Sequence, residues 1–102
     1  MAIVELTIIP IGTGTPSLSQ YVADIQQVLE QSPEPIHYQL TAMSTLIEGE
    51  LPDLLRVIHR LHEVPFQHGA QRVSTSIKID DRRDVKGSIQ QKLQSVQAKM
   101  NR

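Results

Sequence analysis

Few side chains in this sequence have the type and spacing that catalysis requires. His59 and His62 lie three residues apart, as two metal ligands on one helical face can, but the local pattern supplies no third ligand. No serine has the surroundings of an activated nucleophile, and no two carboxylates are set for general acid and general base roles. We therefore predict no catalytic residue and no metal site.

The segment Gly12-Thr13-Gly14-Thr15 has the glycine and hydroxyl content of a phosphate-binding loop. The Lys-Ser or Lys-Thr pair that follows such a loop is missing, and so is the third glycine of a dinucleotide fingerprint. We interpret the segment as an ordinary loop. Its hydroxyls could still border a site, because the helix predicted after it begins with free N–H groups.

Glu48 is the carboxylate that best fits a ligand-binding role. It ends a stretch rich in β-forming residues and precedes Gly49, where a backbone can approach closely. A carboxylate at the rim of a hydroxyl-lined pocket can accept paired hydrogen bonds from an amino-substituted nitrogen ring, or balance a cation. The alternative is a solvated carboxylate near the start of the next helix, where negative charge is favourable.

The elements that must position these residues follow from hydrophobic periodicity and from turn residues. The pattern predicts a strand at 3–10, a helix at 17–31 with a Ser17–Gln20 capping box, a helix from Pro52 to Gly69 and a strand at 72–80. Residues 36–50 are predicted as two strands joined by a tight turn at 41–44, with one bent strand as the alternative. A last helix of about 16 residues begins at Val85.

This order, β-α-β-β-α-β with an added C-terminal helix, predicts an α+β, ferredoxin-like sandwich in a single domain, residues 1–102. Alternation along the strands predicts which apolar side chains face the helices: Val4, Leu6, Ile8, Leu40, Val73, Ile77 and Ile79. The opposite sheet face is predicted to carry hydroxyl, amide and charged groups: Glu5, Thr7, Gln39, Thr41, Thr45, Ser74, Ser76 and Lys78.

That opposite face and the last helix could both take part in association. Rows of hydroxyls suit a partly buried, hydrated cavity, because each can donate and accept; alternatively, they face solvent or a polar dimer contact. The last helix carries an apolar seam, which either joins subunits into a symmetric oligomer or covers the sheet edge of its own subunit. The seam comprises Val85, Ile89, Leu93, Val96 and Met100.

Composition excludes several classes of protein. The 10 Lys+Arg and 11 Asp+Glu give a net charge of −1, and the aromatic residues are two Tyr and one Phe, so nucleic acid is not the expected partner. No apolar run approaches the roughly 20 residues that span a bilayer, and the first residues lack the pattern of a secretion signal. With no cysteine, the fold needs no oxidising compartment. We expect a cytoplasmic protein without membrane contact.

Three segments, residues 9–22, 38–50 and 72–84, resemble the small thiamine-binding-protein family. The most specific parts are Met43-Ser44-Thr45-Leu46-Ile47-Glu48-Gly49 and Lys78-Ile79-Asp80-Asp81-Arg82-Arg83. The resemblance implies a ferredoxin-like domain that pairs through its sheets into a dimer or a dimer of dimers. It also implies binding of thiamine, or its hydroxymethylpyrimidine half, without catalysis and without another cofactor. The binding residues that it implies are Thr41, Met43, Thr45, Glu48 and Ser74.

A non-enzymatic thiamine-binding protein is therefore the leading hypothesis. The second is an enzyme on a dimeric ferredoxin-like barrel, in which His37 or Asp80 would transfer protons. The third is a regulatory or structural subunit whose sheet face is filled by its partner, with no ligand.

Overall fold

The computed structural model describes residues 1–12, 19–84 and 89–100. Its elements are β1 (Ala2–Pro10), α1 (Ser19–Gln31), β2 (His37–Leu40), β3 (Thr45–Gly49), α2 (Leu51–Gln67), β4 (Val73–Asp81) and α3 (Ile89–Met100). The predicted order is confirmed, and a hairpin replaces the alternative of one bent strand. The capping residue Ser17, the loop residues 13–15 and the start of the last helix at Val85 lie outside the described residues.

The strands form one antiparallel sheet in the order β2-β3-β1-β4. The central strand β1 pairs with β4 over its whole length, from Ala2 opposite Asp81 to Pro10 opposite Val73. On its other side β1 pairs with β3 only as far as Leu6, which lies opposite Thr45. Residues 7–10 of β1 therefore pair with β4 but not with β3.

The core lies between one sheet face and the two helices α1 and α2. Val4, Leu6 and Ile47 are at most 2% exposed, because they point from the sheet towards the helices. The apolar stripe of α2 at helical spacing completes this core, together with Ile25 and Leu29 of α1. The buried side chains of that stripe are Leu54, Val57, Ile58, Leu61 and Val64.

One prediction about the sheet faces is wrong, and another holds for the face but not for burial. Ile77 and Ile79 lie on the helix-facing side with Leu6 and Val4, as predicted, yet they are 45% and 44% exposed and do not join the core, because β4 is an edge strand that the helices cover only in part. Thr45 lies opposite Leu6 and thus faces the helices, not the opposite side.

The face turned away from the helices, called the outer sheet face below, is otherwise mostly polar as predicted. The register places Thr7 opposite Ser76 and Glu5 opposite Lys78 on this face. Apolar residues also occur there, since Ile3 and Ile9 alternate with those polar residues along β1.

Helix α3 does not cover the sheet edge of its own chain. Leu93 and Val96 are 57% and 56% exposed, and Met100 is 78% exposed. The side chain of Lys92 contacts Asp80 of β4, so an ion pair links the helix to the sheet. The predicted apolar seam is thus exposed along its described part.

Candidate functional site

The hairpin between β2 and β3 is organised by the side chain of Thr41. Its Oγ1 donates to the carbonyl oxygen of Ser44 at 2.8 Å and accepts from the backbone N–H groups of Ser44 and Met43 at 2.9 and 3.3 Å. The backbone N–H of Thr41 donates to the same carbonyl at 2.8 Å. These bonds close the turn and leave Met43 at its tip, 86% exposed.

A cavity of about 370 Å³ lies where this hairpin separates from β1. Residues 7–9 of β1 have ladder partners on the β4 side only, so their backbone groups on the other side face the gap. The volume falls in the range of roughly 300–1,000 Å³ that is typical of small-molecule pockets. The cavity is lined by β1, the hairpin and α1, through Leu6, Thr7, Ile8, Ile9, Val22, Ile25, Leu40, Thr41, Ala42, Met43, Ser44 and Thr45.

A few polar groups converge on this mainly apolar cavity, as in many ligand sites. The hydroxyls of Thr7, Thr41, Ser44 and Thr45 belong to its lining residues. Ser44 Oγ donates to Glu5 Oε2 at 3.3 Å, so the Glu5 carboxylate lies beside the hairpin. Alternation in the sequence predicts that Glu5 lies on the outer sheet face. Its role at the site is indicated only by the hydrogen bond from Ser44, which the sequence does not reveal.

The structure brings three of the five predicted binding residues together. Thr41, Met43 and Thr45 all line the cavity. Glu48 follows Ser44 by four residues, which separates the two by about 13 Å at the rise per residue of a strand. Glu48 therefore does not line the cavity. Ser74 lies opposite Ile9 on the β4 side of the sheet.

Glu48 occupies the other end of the outer sheet face. It lies opposite His37 of β2 on one side and opposite Ile3 of β1 on the other. It is only 8% exposed, although it faces away from the helices. Asp80 follows in the same row, opposite Ile3. His37 and Asp80 are thus three strand spacings apart, about 14 Å. Within one chain, the two residues that the enzyme hypothesis names for proton transfer therefore do not lie together.

A second cavity, of about 530 Å³, lies near the start of α2 and the end of β4. Two arginines line it, and both are engaged within the chain. Arg82 Nε donates to Asp84 at 2.8 Å, and Arg83 Nη2 donates to Asp81 at 2.9 Å. The hydrogen bond from Arg83 lowers the pKa of Asp81. These ion pairs make the cavity a weaker candidate for binding an anion.

The two histidines considered as metal ligands have other partners. His62 Nδ1 is 2.6 Å from Thr75 Oγ1 of β4, and His59 Nε2 is 3.5 Å from Glu63 Oε1. Within residues 1–12, 19–84 and 89–100, no three His, Asp or Glu side chains are grouped as a metal ion would require.

Comparison with known proteins identifies the family. Residues 4–97 match the family described as thiamine-binding protein. The chain belongs to this family. One relative of this thiamine-binding family member, the UPF0045 protein YqgV of Bacillus subtilis, is 60% identical over 98 residues, which cover 94% of each chain.

Solved structures confirm the ferredoxin-like fold of this thiamine-binding family member. Protein MJ1052 of Methanocaldococcus jannaschii superposes with a TM-score of 0.81 at 31% identity, covering 94% of this chain and 95% of that one. A candidate thiamine biosynthesis/salvage protein of Thermotoga maritima has the same fold, with a TM-score of 0.76 at 17% identity over 93% and 97% of the two chains. None of the helices described is long and apolar enough to cross a bilayer.

Proposed function

We propose that this chain is a cytoplasmic, non-enzymatic binding protein for thiamine or its hydroxymethylpyrimidine half. The observation that carries the proposal is the cavity between β1 and the hairpin, because Thr41, Met43 and Thr45 all line it. Membership of a family described as thiamine-binding supports the same ligand.

The chemistry of the cavity suits an aminopyrimidine ring. Such a ring has an amino group that donates hydrogen bonds and ring nitrogens that accept them, and hydroxyls such as those of Thr7 and Thr45 can do either. Apolar walls from Ile8 and Ile25 match the faces of the ring. Met43 at the turn tip offers a flexible, polarisable side chain that can close over a bound ligand.

Two carboxylates are proposed to orient the ligand. Glu5 lies at the hairpin, where its carboxylate accepts from Ser44 and has further acceptor capacity for an amino group. Ser74 lies one strand spacing from the cavity residue Ile9 but is not part of the lining, and Glu48 lies farther away on the same sheet face. We propose that both reach the ligand from a second copy. The oligomer would then be a dimer or a dimer of dimers in which outer sheet faces meet.

Calorimetric titration of the purified chain with thiamine, and separately with hydroxymethylpyrimidine, tests the proposal. We expect saturable heat with one ligand per chain and a raised melting temperature, because a ligand that binds only the folded state stabilises it. The absence of both effects at millimolar ligand would contradict the function.

Variants of the carboxylates test the site. Glu5→Gln and Glu48→Ala should each weaken binding by about 1.5–3 kcal/mol, roughly tenfold or more, if each loses a charged hydrogen bond. Glu30→Gln is the matched control, since Glu30 is an exposed carboxylate on α1 that accepts only from Gln26 in the described contacts. If Glu5→Gln or Glu48→Ala binds like the control, that carboxylate is not part of the site.

A further inference from the structure

The alternation of hydrogen bonds along β1 decides which backbone groups face the gap beside the hairpin. The N–H of Ile11 donates to the carbonyl oxygen of Arg72 at 2.9 Å, in continuation of the register between β1 and β4. In an antiparallel ladder, every second residue exchanges both of its bonds with the same neighbouring strand. The odd-numbered residues of β1 therefore bond to β4, and the even-numbered residues point their N–H and C=O groups towards β3.

The turn of the hairpin gives the same assignment independently. The backbone N–H of Thr41 donates to the carbonyl oxygen of Ser44, so these two residues form a hydrogen-bonded pair. By the same alternation, the even-numbered residues of β3 bond to β2, and the odd-numbered residues, from Thr45 onwards, bond to β1. Leu6 and Thr45 are accordingly the last hydrogen-bonded pair between β1 and β3.

Ile8 is the next residue of β1 in this series, and the strand residue that would pair with it is displaced. Continuation of the register would place Met43 opposite Ile8. Met43 lies instead at the tip of the turn, where its backbone N–H donates to Thr41 Oγ1 at 3.3 Å. Among residues 1–12, 19–84 and 89–100, no backbone group of β3 pairs with Ile8. Its N–H and C=O are therefore an adjacent donor and acceptor in the wall of the 370 Å³ cavity.

We propose that the backbone of Ile8 binds the edge of an aminopyrimidine ring, which takes the place of the displaced strand residue. This contact rests on the proposed function and identifies the part of the ligand that is recognised. A ring nitrogen that accepts lies next to an amino group that donates, which matches the C=O and N–H of a facing strand residue. The ring nitrogen accepts from the N–H of Ile8, and the amino group donates to its C=O.

The walls of the cavity fit a flat ring held in this way. A ring bonded edge-on to Ile8 continues the plane of the sheet, so one of its faces is turned towards α1. Val22 and Ile25 of α1 line the cavity on that side, and Thr7 and Ile9 line it on the side of the outer sheet face. Mainly apolar walls thus meet the two faces of the ring, and main-chain polar groups meet its edge.

The contact selects a class of ligand. Rings with an acceptor nitrogen beside an amino group satisfy both backbone groups of Ile8, whereas the thiazole half of thiamine has no such edge. Removal of the amino group leaves the C=O of Ile8 without a partner from the ligand. Because Ile8 is partly buried, an unsatisfied group there costs more than the loss of an exposed hydrogen bond.

Amide hydrogen exchange followed by NMR tests the contact at Ile8. In the free chain, the Ile8 amide should exchange faster than the Leu6 amide, which pairs with Thr45. At saturating hydroxymethylpyrimidine, exchange at Ile8 should slow by at least about tenfold relative to Leu6. Leu6 is the matched control, because it points to the same side of the same strand and reports any general stabilisation by the ligand.

Calorimetric titration of the wild type with fragments and analogues tests the selectivity. Hydroxymethylpyrimidine should bind at least about tenfold more tightly than the analogue in which hydrogen replaces the amino group. The thiazole half alone should give no saturable heat.

The outcomes separate this contact from the proposed function. Saturable binding of hydroxymethylpyrimidine with no slowing at Ile8 relative to Leu6 would overturn the contact and leave the proposed function standing. Equally tight binding of the analogue without the amino group, or saturable binding of the thiazole half, would also overturn it. If neither thiamine nor hydroxymethylpyrimidine binds, the proposed function fails and the contact fails with it.

Discussion

Glu34 is the residue that ties the connection between α1 and β2 to helix α2. Both guanidinium nitrogens Nη1 and Nη2 of Arg60 donate to its carboxylate, the first at 3.1 Å, and Arg56 Nε lies 3.7 Å away. The hydrogen bonds from Arg60 hold the pKa of Glu34 below its ordinary value of 4.5, against the opposing effect of burial. The side chain is 9% exposed, which is low for a carboxylate in a loop.

Glu34→Gln should destabilise the fold in a pH-dependent way. The folded-state pKa of Glu34 is depressed, so its contribution is fully present above pH 4.5 and is lost as the pH falls through the folded-state value. The melting temperature of Glu34→Gln should lie a few degrees below that of the wild type near neutral pH, and the two should converge below pH 4.5. Thermal melts from pH 3 to pH 7 measure this, and a constant difference throughout that range would contradict it.

Thr41 and Thr45 show how much of the site could be predicted from the sequence. Thr41 was placed on the outer sheet face by alternation, and its bonds to Ser44 agree with that. Thr45 was placed there too, but the hairpin pairs Leu40 with Thr45 across the turn. Residues paired across a ladder share a sheet face, and here an even-numbered residue, Leu40, pairs with an odd-numbered one, Thr45. Even-numbered residues of β2 therefore face the helices, whereas in β3 the odd-numbered residues do. Alternation alone cannot detect this before the turn length is known.

At the scale of elements, helix α2 supplies the central packing of the domain. Consecutive leucines on it have opposite environments: Leu54 is fully buried and Leu55 is 47% exposed. The helical period predicts this difference between neighbours, since residues one apart are turned by about 100°.

Leu54→Ala should lower the free energy of unfolding by about 2–5 kcal/mol, because it leaves a cavity in a packed core. Leu55→Ala, the matched change one residue later, should cost less than about 1 kcal/mol in the monomer. Urea denaturation at low protein concentration, where association does not contribute, compares the two. Equal losses would contradict the assignment of the core face of α2.

The order of elements was predictable because each has a strong local signal, such as the strict alternation of β4 and the proline in the first turn of α2. The half-exposure of Ile77 and Ile79 could not be predicted, because alternation shows which face a residue occupies but not whether a helix covers it. The gap beside β1 was also unpredictable. It depends on where β3 stops pairing, at Leu6, and nothing in the residues 7–9 themselves marks that point.

At the scale of the whole molecule, the seam of α3 is an exposed apolar region outside the core, with Leu93 and Val96 more than half-exposed. In the proposed dimer of dimers, this seam would supply the second of the two kinds of contact that such an assembly requires.

Replacing both Leu93 and Val96 by serine should reduce association without loosening the monomer. Their exposure means that little apolar packing within the chain is lost, so the change in unfolding free energy should stay within about 0.5 kcal/mol. Sedimentation velocity should show a smaller oligomer than the wild type, whereas Gln94→Ser on the same helix should leave the assembly unchanged. An unaltered oligomer would exclude the seam from the interface.

The exposed position of α3 also gives the single chain an unusual hydrodynamic shape. Its principal extents are 49 × 30 × 20 Å and its radius of gyration is 15.1 Å, whereas a compact chain of this length has about 13 Å. An elongated particle experiences more friction than a sphere of equal mass. On a column calibrated with spherical standards, this chain would elute early and its mass would be overestimated, so subunits are better counted by light scattering.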